Sequence, residues 1–377
     1  MKSLSIYIHI PFCVQKCKYC DFLSAPSTPE ARAEYLEALK REMIKEAPAY
    51  QDYEVKTVFF GGGTPSILEA GQISECMDVL KEYYRISADA EISMEMNPGT
   101  ASPEKLRVMK RSGINRLSIG LQSAVDEELR MLGRIHTYAE FENTYYAARE
   151  AGFTNINIDL MSAIPGQSVE GWRKTLQRAV DLKPEHISAY SLIIEEGTPL
   201  FENIESYPAI PDEEEDRIMY QDTKSLLKKQ GYERYEISNY AKPGYECKHN
   251  VVYWTRENYA GFGLGAASMV ENVRWKNTDD MTLYLRQQEL KEEVQKLSKA
   301  ECMEEFMYLG LRMMDGVSCK KFADAFDISM DDVYGDVLKR WGNMGVLECD
   351  GEKVTLTDAG IDVSNQIFAD FLLEENV

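Results

Sequence analysis

The sequence predicts an α/β protein built on a parallel sheet, followed by a smaller α+β module. Three observations carry this expectation. Between residues 4 and about 200, short apolar or alternating segments take turns with helical ones, the pattern of strands joined by crossover helices. The conspicuous polar and glycine residues stand after a strand and before the next helix. From about residue 298 the rhythm changes to clustered helices and one hairpin. Periodicity alone does not separate a βα barrel from a doubly wound open sheet. In a barrel those post-strand loops would share one face.

The elements follow in order. LSIYIHI (4–10) alternates as a strand and runs into a cysteine loop, and residues 33–47 have helical periodicity. KTVFF (56–60) reads as a buried strand ending in Gly61-Gly62-Gly63-Thr64-Pro65, with a helix near 69–84. EISMEM (91–96) ends in Asn97-Pro98-Gly99. The next helix has a serine cap, proline in its first turn and a closing glycine. NRLSIGLQS (115–123) is strand then loop, and helices follow near 125–132 and 137–151. NINIDLM (155–161), a helix from Ser168 and HISAYSLI (186–193) complete six strand–helix units. An acidic helix start at 208–217, a strand-like ERYEISNYA (233–241), a loop with Cys247, His249 and Trp254, and Gly261-Phe262-Gly263-Leu264-Gly265 come next. Helices near 300–313, 318–326 and 331–343, with a hairpin turning at Asp350-Gly351, suggest a winged-helix-like module. The expected divisions are 1–235, 236–297 and 298–377.

Composition narrows the function classes. With 42 basic and 63 acidic residues the net charge is −21, which argues against nucleic acid or an anionic membrane as partner. The C-terminal module, 298–377, carries 7 basic and 17 acidic side chains, so its winged-helix look does not point to DNA. Neither a signal peptide nor a transmembrane span is read from the sequence. Eight cysteines in 377 residues are too sparse for a disulfide scaffold, and the expected location is the cytoplasm, where thiols stay reduced.

Cys13, Cys17 and Cys20 form a C-x3-C-x2-C array within eight positions. A structural zinc site would draw four ligands, usually from paired C-x2-C units, and the other five cysteines offer no such pair. Three thiolates on one loop suit three irons of a cubane cluster. The fourth iron is then open to a small molecule.

With these residues the chain resembles the radical S-adenosylmethionine (SAM) superfamily. It resembles in particular the oxygen-independent coproporphyrinogen III oxidase group, which contains HemN dehydrogenases and HemW heme chaperones. "YIHIPFCVQKCKYCDF", "FFGGGTPS", "SMEMNPG", "RLSIGLQS", "GRIHT", "NIDLMSAIPGQ" and "GLGAASM" carry the resemblance over nearly the whole chain. It implies a partial (βα)6 barrel, a [4Fe-4S] cluster on Cys13, Cys17 and Cys20, and SAM on the open iron, cleaved reductively to a 5′-deoxyadenosyl radical. It also implies SAM contacts from Tyr7, Tyr19, Gly62, Gly63, Thr64, Glu95, Gln122, Arg134, Asp159, Ile193 and Ala267.

Two departures separate the chain from the HemN branch. Phe22 stands where HemN has a further cysteine, and the HemN-type N-terminal extension is missing. "HNVVYW" (249–254) matches a motif associated with heme in the HemW branch, which implies His249 on heme iron with Tyr253 and Trp254 against the porphyrin. The resemblance therefore implies a heme chaperone with an acceptor hemoprotein, an electron donor for the cluster and possible homodimers. The rival expectation is oxidative decarboxylation of coproporphyrinogen III. A third is an iron–sulfur sensor of redox state or cofactor supply.

Overall fold

The structure is a computed structural model that describes residues 1–288 and 290–373. Glu289 and residues 374–377 of the expected C-terminal module lie outside the described residues. Six strands form the frame: β1 (Lys2–Ile10), β2 (Tyr53–Gly62), β3 (Ile86–Met96), β4 (Arg116–Gln122), β5 (Ile156–Ser162) and β6 (His186–Ser191). Each pairs parallel to the next.

The period-2 pattern decides which way each side chain faces. Leu117, Ile119 and Leu121 of β4, like Ile158 and Leu160 of β5, enter the hydrophobic core beneath the helices. Burying each such side chain contributes about 1.5–3 kcal/mol. The alternate residues are Ser118, Gly120 and Gln122 on β4 and Asn157 and Asp159 on β5. Each of the six strands sends at least one side chain (Tyr7, Phe59, Glu95, Ser118, Asp159 and Ser188 among them) to line a single inner chamber. The sheet is therefore curved around a polar interior, as the partial barrel requires.

The helices start as their sequences direct. Thr28 caps α1 (Pro29–Glu46), whose first residue is proline. Ser102 caps α3 (Pro103–Ser112), closed by Gly113 at φ 109°. Between them lies α2 (Ala70–Tyr83). Next come α4 (Asp126–Met131), α5 (Tyr138–Glu150), α6 (Val169–Asp181) and α7 (Glu213–Lys229).

Beyond α7 the structure departs from the sequence reading. ERYEISNYA is two short strands, β7 (Glu233–Arg234) and β8 (Asn239–Ala241), and β8 runs antiparallel beside β6. The expected loop around His249 is a helix, α8 (Lys248–Trp254). Glu91 caps it, accepting from the N–H groups of Lys248 and His249 at 3.2 Å each. A strand not read from the sequence, β9 (Tyr259–Phe262), joins the free edge of β1 in parallel. From it β10 (Ala267–Val270), β11 (Val273–Asn277) and β12 (Lys291–Lys296) extend the sheet antiparallel. Among the described residues the sheet thus has twelve strands and stays open. The glycine loop between β9 and β10 serves packing. A Cβ on Gly263 would stand 2.6 Å from the Tyr35 hydroxyl, and its N–H donates to the buried Glu42 carboxylate.

The C-terminal module has its own core. Helices α9 (Lys299–Gly310), α10 (Cys319–Phe326) and α11 (Met330–Asn343) pack with a three-stranded sheet of β13 (Val317–Ser318), β15 (Lys353–Leu356) and β14 (Leu347–Cys349), in that order. The hairpin turns at Gly351, φ 89°. Clustered helices with one hairpin are the expected winged-helix-like make-up. The module is fastened to the sheet by Glu305, 3% exposed, which pairs with both Arg256 and Arg274. The Arg312 guanidinium also lies 4.4 Å from the Trp254 ring centroid.

Candidate functional site

The carboxyl ends of the strands open into a cleft of about 470 Å³. Its walls include Cys13, Cys17, Cys20, Tyr19, Gly62, Gly63, Thr64, Glu95, Gln122, Arg134, Asp159 and Ile193, so most residues singled out from the sequence converge there.

The cysteine loop is held from both sides. Phe12–Cys13 pairs in parallel with Ala25–Pro26. The Thr64 N–H donates to the Phe12 carbonyl at 2.7 Å and the Lys18 N–H to the Leu132 carbonyl at 3.0 Å. Gly63 presses against this loop: a Cβ there would stand 2.7 Å from the Phe12 carbonyl oxygen and 3.0 Å from the Cys13 sulfur. Gly62 has φ 112°, and a Cβ would strike the His9 ring at 2.5 Å. Both positions require glycine on steric grounds. Among the described residues no three His, Cys, Asp or Glu side chains converge on a single-ion site. A cubane cluster asks instead that each thiolate take its own iron, and three thiols on one pinned loop beside an open cleft fit that demand.

Two cysteines receive side-chain donors. The Thr64 hydroxyl points to the Cys13 sulfur at 3.4 Å and Arg134 Nη1 to the Cys17 sulfur at 3.7 Å. Asn97 joins the two donors: its Nδ2 donates to Thr64 Oγ1 at 2.9 Å, and its Oδ1 accepts from Arg134 Nη2 at 2.7 Å.

The strand-end polar groups line the opposite wall. Glu95 accepts the Gly62 N–H at 3.1 Å. Burial, and then the neighbouring Asp159 carboxylate, push Glu95 up to about 8 against that bond. Asp159 is held by Ser118 at 3.0 Å and Asn157 at 2.7 Å, yet burial still raises it. Gln122 has φ 70° at an irregularity between β4 and β5 and accepts from the Tyr190 hydroxyl at 3.2 Å. A non-glycine residue at positive φ beside a cleft is the kind of strain that tertiary packing must hold. Tyr19 is half-buried beside Arg134, and desolvation raises its phenol.

Below the cleft lies the chamber of about 170 Å³. His249 forms part of its floor, 1% exposed. Its Nδ1 pairs with the Thr57 hydroxyl at 2.7 Å and its Nε2 with the Tyr253 hydroxyl at 2.9 Å. The ring stacks on Phe59 with centroids 5.0 Å apart. Burial, then the Arg116 charge, lower His249 to about 3, so it is neutral. Tyr7 stacks in the same layer, its hydroxyl on His9 Nδ1 at 3.0 Å. His9 Nε2 faces the Leu23 carbonyl at 2.9 Å, the ordinary pairing of a strand histidine. Cys247 is fully buried on Glu91, and burial pushes its thiol up to about 12.

Some expected contacts are therefore not brought together. Ala267 is exposed on β10 and lines neither cavity. Trp254 faces Arg312 of the C-terminal module, whereas Tyr253 lines the chamber together with His249. Asn97, Tyr190 and Arg116 went unread. The signal for Asn97 lay in the sequence: a polar residue ahead of proline at the end of a strand.

Fold and cleft together define the class, a radical SAM protein with a HemN-type module. Residues 7–179 match the radical SAM superfamily and residues 297–363 the HemN C-terminal domain. The solved structure of HemN, the coproporphyrinogen III oxidase of Escherichia coli, superposes with a TM-score of 0.87 at 25% identity. It covers 98% of this chain and 90% of that one. Among named relatives, the heme chaperone HemW of Lactococcus lactis is 36% identical, covering 99% of this chain and 98% of that protein. That of Bacillus subtilis is 37% identical, covering 98% and 99%. That of Escherichia coli is 42% identical over 72% and 71%. The chain belongs to the HemW family. Its superfamily implies SAM and a [4Fe-4S] cluster. Among the described residues no helix is long and apolar enough to cross a membrane.

Proposed function

We propose that this protein is a heme chaperone that binds heme and passes it to an acceptor hemoprotein. The observation that carries the reading is its similarity, over nearly the full length, to proteins named heme chaperones. In this reading Cys13, Cys17 and Cys20 hold the [4Fe-4S] cluster, and a separate electron donor reduces it. When bound, the cluster supplies an open iron and an electron to SAM.

The protein's own groups do the rest. Gly62 and Gly63 let the backbone approach a ligand closely, and Tyr19 and Ile193 give the cleft apolar surface. Glu95, protonated near neutral pH, ionises when a cationic group arrives and then pairs with it. Asp159 and Gln122 offer acceptors for hydroxyl and amino groups. Tyr7 lines the chamber that shares Glu95 and Asp159 with the cleft, and Ala267 lines neither.

Heme is the cargo. Its first contact in this reading is the apolar rim of the cleft, where Phe22 is 60% and Ile193 70% exposed. Neutral imidazole is the form that ligates iron, and His249 is neutral. Ligation by its Nε2 requires Tyr253 to turn away and the floor to open, because that nitrogen is bonded to the Tyr253 hydroxyl and the residue is 1% exposed. All eight cysteines are free, which suits the reducing cytoplasm.

The test is an anaerobic heme titration of cluster-loaded protein, followed by visible absorbance, with His249→Ala alongside. A saturable one-to-one Soret shift that weakens in the variant supports the reading. Absence of specific binding by the native protein rejects it. The oxidase reading draws on the HemN superposition and is weakened by Phe22. Formation of protoporphyrinogen from coproporphyrinogen III would restore it.

A further inference from the structure

Cys13 and Cys17 are joined through side chains alone. From Cys13 Sγ the path runs to Thr64 Oγ1 (3.4 Å), Asn97 Nδ2 (2.9 Å), then from Asn97 Oδ1 to Arg134 Nη2 (2.7 Å) and from Arg134 Nη1 to Cys17 Sγ (3.7 Å). The direction of each bond is consistent. Thr64 receives from the Asn97 amide and gives its proton to sulfur. Arg134 gives one nitrogen to Asn97 and the Gly120 carbonyl at 2.7 Å, and the other to sulfur. We propose that Thr64, Asn97 and Arg134 form a hydrogen-bonded arch that orients the Cys13 and Cys17 sulfurs and raises the reduction potential of the cluster they hold. The inference rests on the proposed cluster at the three cysteines and not on heme.

Three features support an arch over an accidental set of contacts. It spans three separate chain segments, the ends of β2 and β3 and the residues after α4, and is closed at both ends by cluster cysteines. Gly120 makes room for its centre: a Cβ there would stand 3.1 Å from Arg134 Nη2 and 3.2 Å from Asn97 Oδ1. Arg134 is engaged by the protein on both terminal nitrogens.

The physical effect has a sign. Reduction adds one negative charge to the cluster, and donors aimed at its sulfurs stabilise that charge. Removing a donor therefore moves the potential to more negative values. Asn97 touches no sulfur and is a positioning residue: it fixes where the two donors point.

The experiment is an anaerobic redox titration of reconstituted protein followed by electron paramagnetic resonance, with iron and sulfide content measured for each variant. Thr64→Val deletes one donor at nearly constant volume, and Thr64→Ser restores it. Arg134→Met deletes the other. The expected result is a more negative midpoint in Thr64→Val and Arg134→Met, recovery in Thr64→Ser, and no change in Arg130→Ala, a surface control paired with Glu127. Proton–deuteron exchange should also remove a coupling from the reduced native signal that Arg134→Met lacks. Equal midpoints in fully loaded native, Thr64→Val and Arg134→Met proteins overturn the arch. Should Thr64→Val fail to load, loading by Thr64→Ser supports it and failure of both overturns the role of the hydroxyl. A native protein that takes up no cluster would reject the cluster assignment instead.

Discussion

The cleft above the sheet and the floor beneath it contain residues of similar kind, yet they are built differently. At the cleft, thiols and carboxylates line open space, and two sulfurs have donors waiting. At the floor, the single imidazole has both nitrogens bonded and its face covered. The cleft is arranged to receive a ligand as it stands. The floor is satisfied as it stands and must rearrange before it can receive one. Free polar capacity, more than the identity of the side chain, separates a ready site from a latent one.

Four predictions break or sharpen this contrast. The largest concerns the cleft. Replacing Cys13, Cys17 or Cys20 by alanine should abolish a full cluster while leaving the fold intact, read by iron content and circular dichroism. Retention of four irons per chain would break the contrast at its open end.

Next in size is the fastening of the C-terminal module to the sheet. Glu305→Ala leaves the buried Arg256 without its partner, and breaking a buried pair from one side costs about 3–5 kcal/mol. Denaturant unfolding should register that loss, and Glu305→Gln should recover part of it.

The third prediction separates closed floor from ligand. Tyr253→Phe removes the hydroxyl that occupies His249 Nε2. A hydrogen bond is worth about 1 kcal/mol net, so heme affinity should rise about fivefold if the freed nitrogen is the ligand. His249→Ala should lower heme affinity and cost about 2–4 kcal/mol of stability through a cavity and two unpaired hydroxyls. Unchanged heme binding in both variants would remove the floor from the heme path.

The smallest effect is in pH. Burial holds His249 at about 3 and His136 at about 4, whereas an unfolded histidine titrates near 6.5. Between these values the unfolded chain binds more protons, so stability is full above about 6.5 and falls as pH drops toward 3. Glu95, raised to about 8, works in the opposite sense: stability falls as pH rises from about 4.5 to 8. Thermal melts from pH 4 to 8 should show both slopes, with His249→Gln weakening the acid one and Glu95→Gln the alkaline one.

Much of this could be read from the chain itself. The six units, the serine cap and closing glycine of α3, the hairpin at Asp350-Gly351 and the cysteine loop all follow from spacing and local chemistry. These are short-range constraints, and the backbone expresses them wherever the chain lies. Phe22 beside Cys20 is equally local, and it bears on the function because it is a covalent neighbour of the loop. The glycines at 62 and 63 could be seen as a close approach, but not what they approach.

Tertiary structure decided the rest. No local signal turns residues 248–254 into a helix, because its cap, Glu91, comes from a strand more than 150 positions earlier. No periodicity sends β9 to the edge of β1, since that pairing belongs to a distant segment and a four-residue strand has little pattern of its own. His249 was legible as a candidate ligand, but its two hydrogen bonds, with Thr57 and Tyr253, depend on how α8 docks under the sheet. The arch through Thr64, Asn97 and Arg134 joins residues 33 and 37 positions apart. The sequence determined which chemical groups this protein owns and their order along the chain. The fold alone decided which of them are free, because hydrogen-bond satisfaction is settled by neighbours in space.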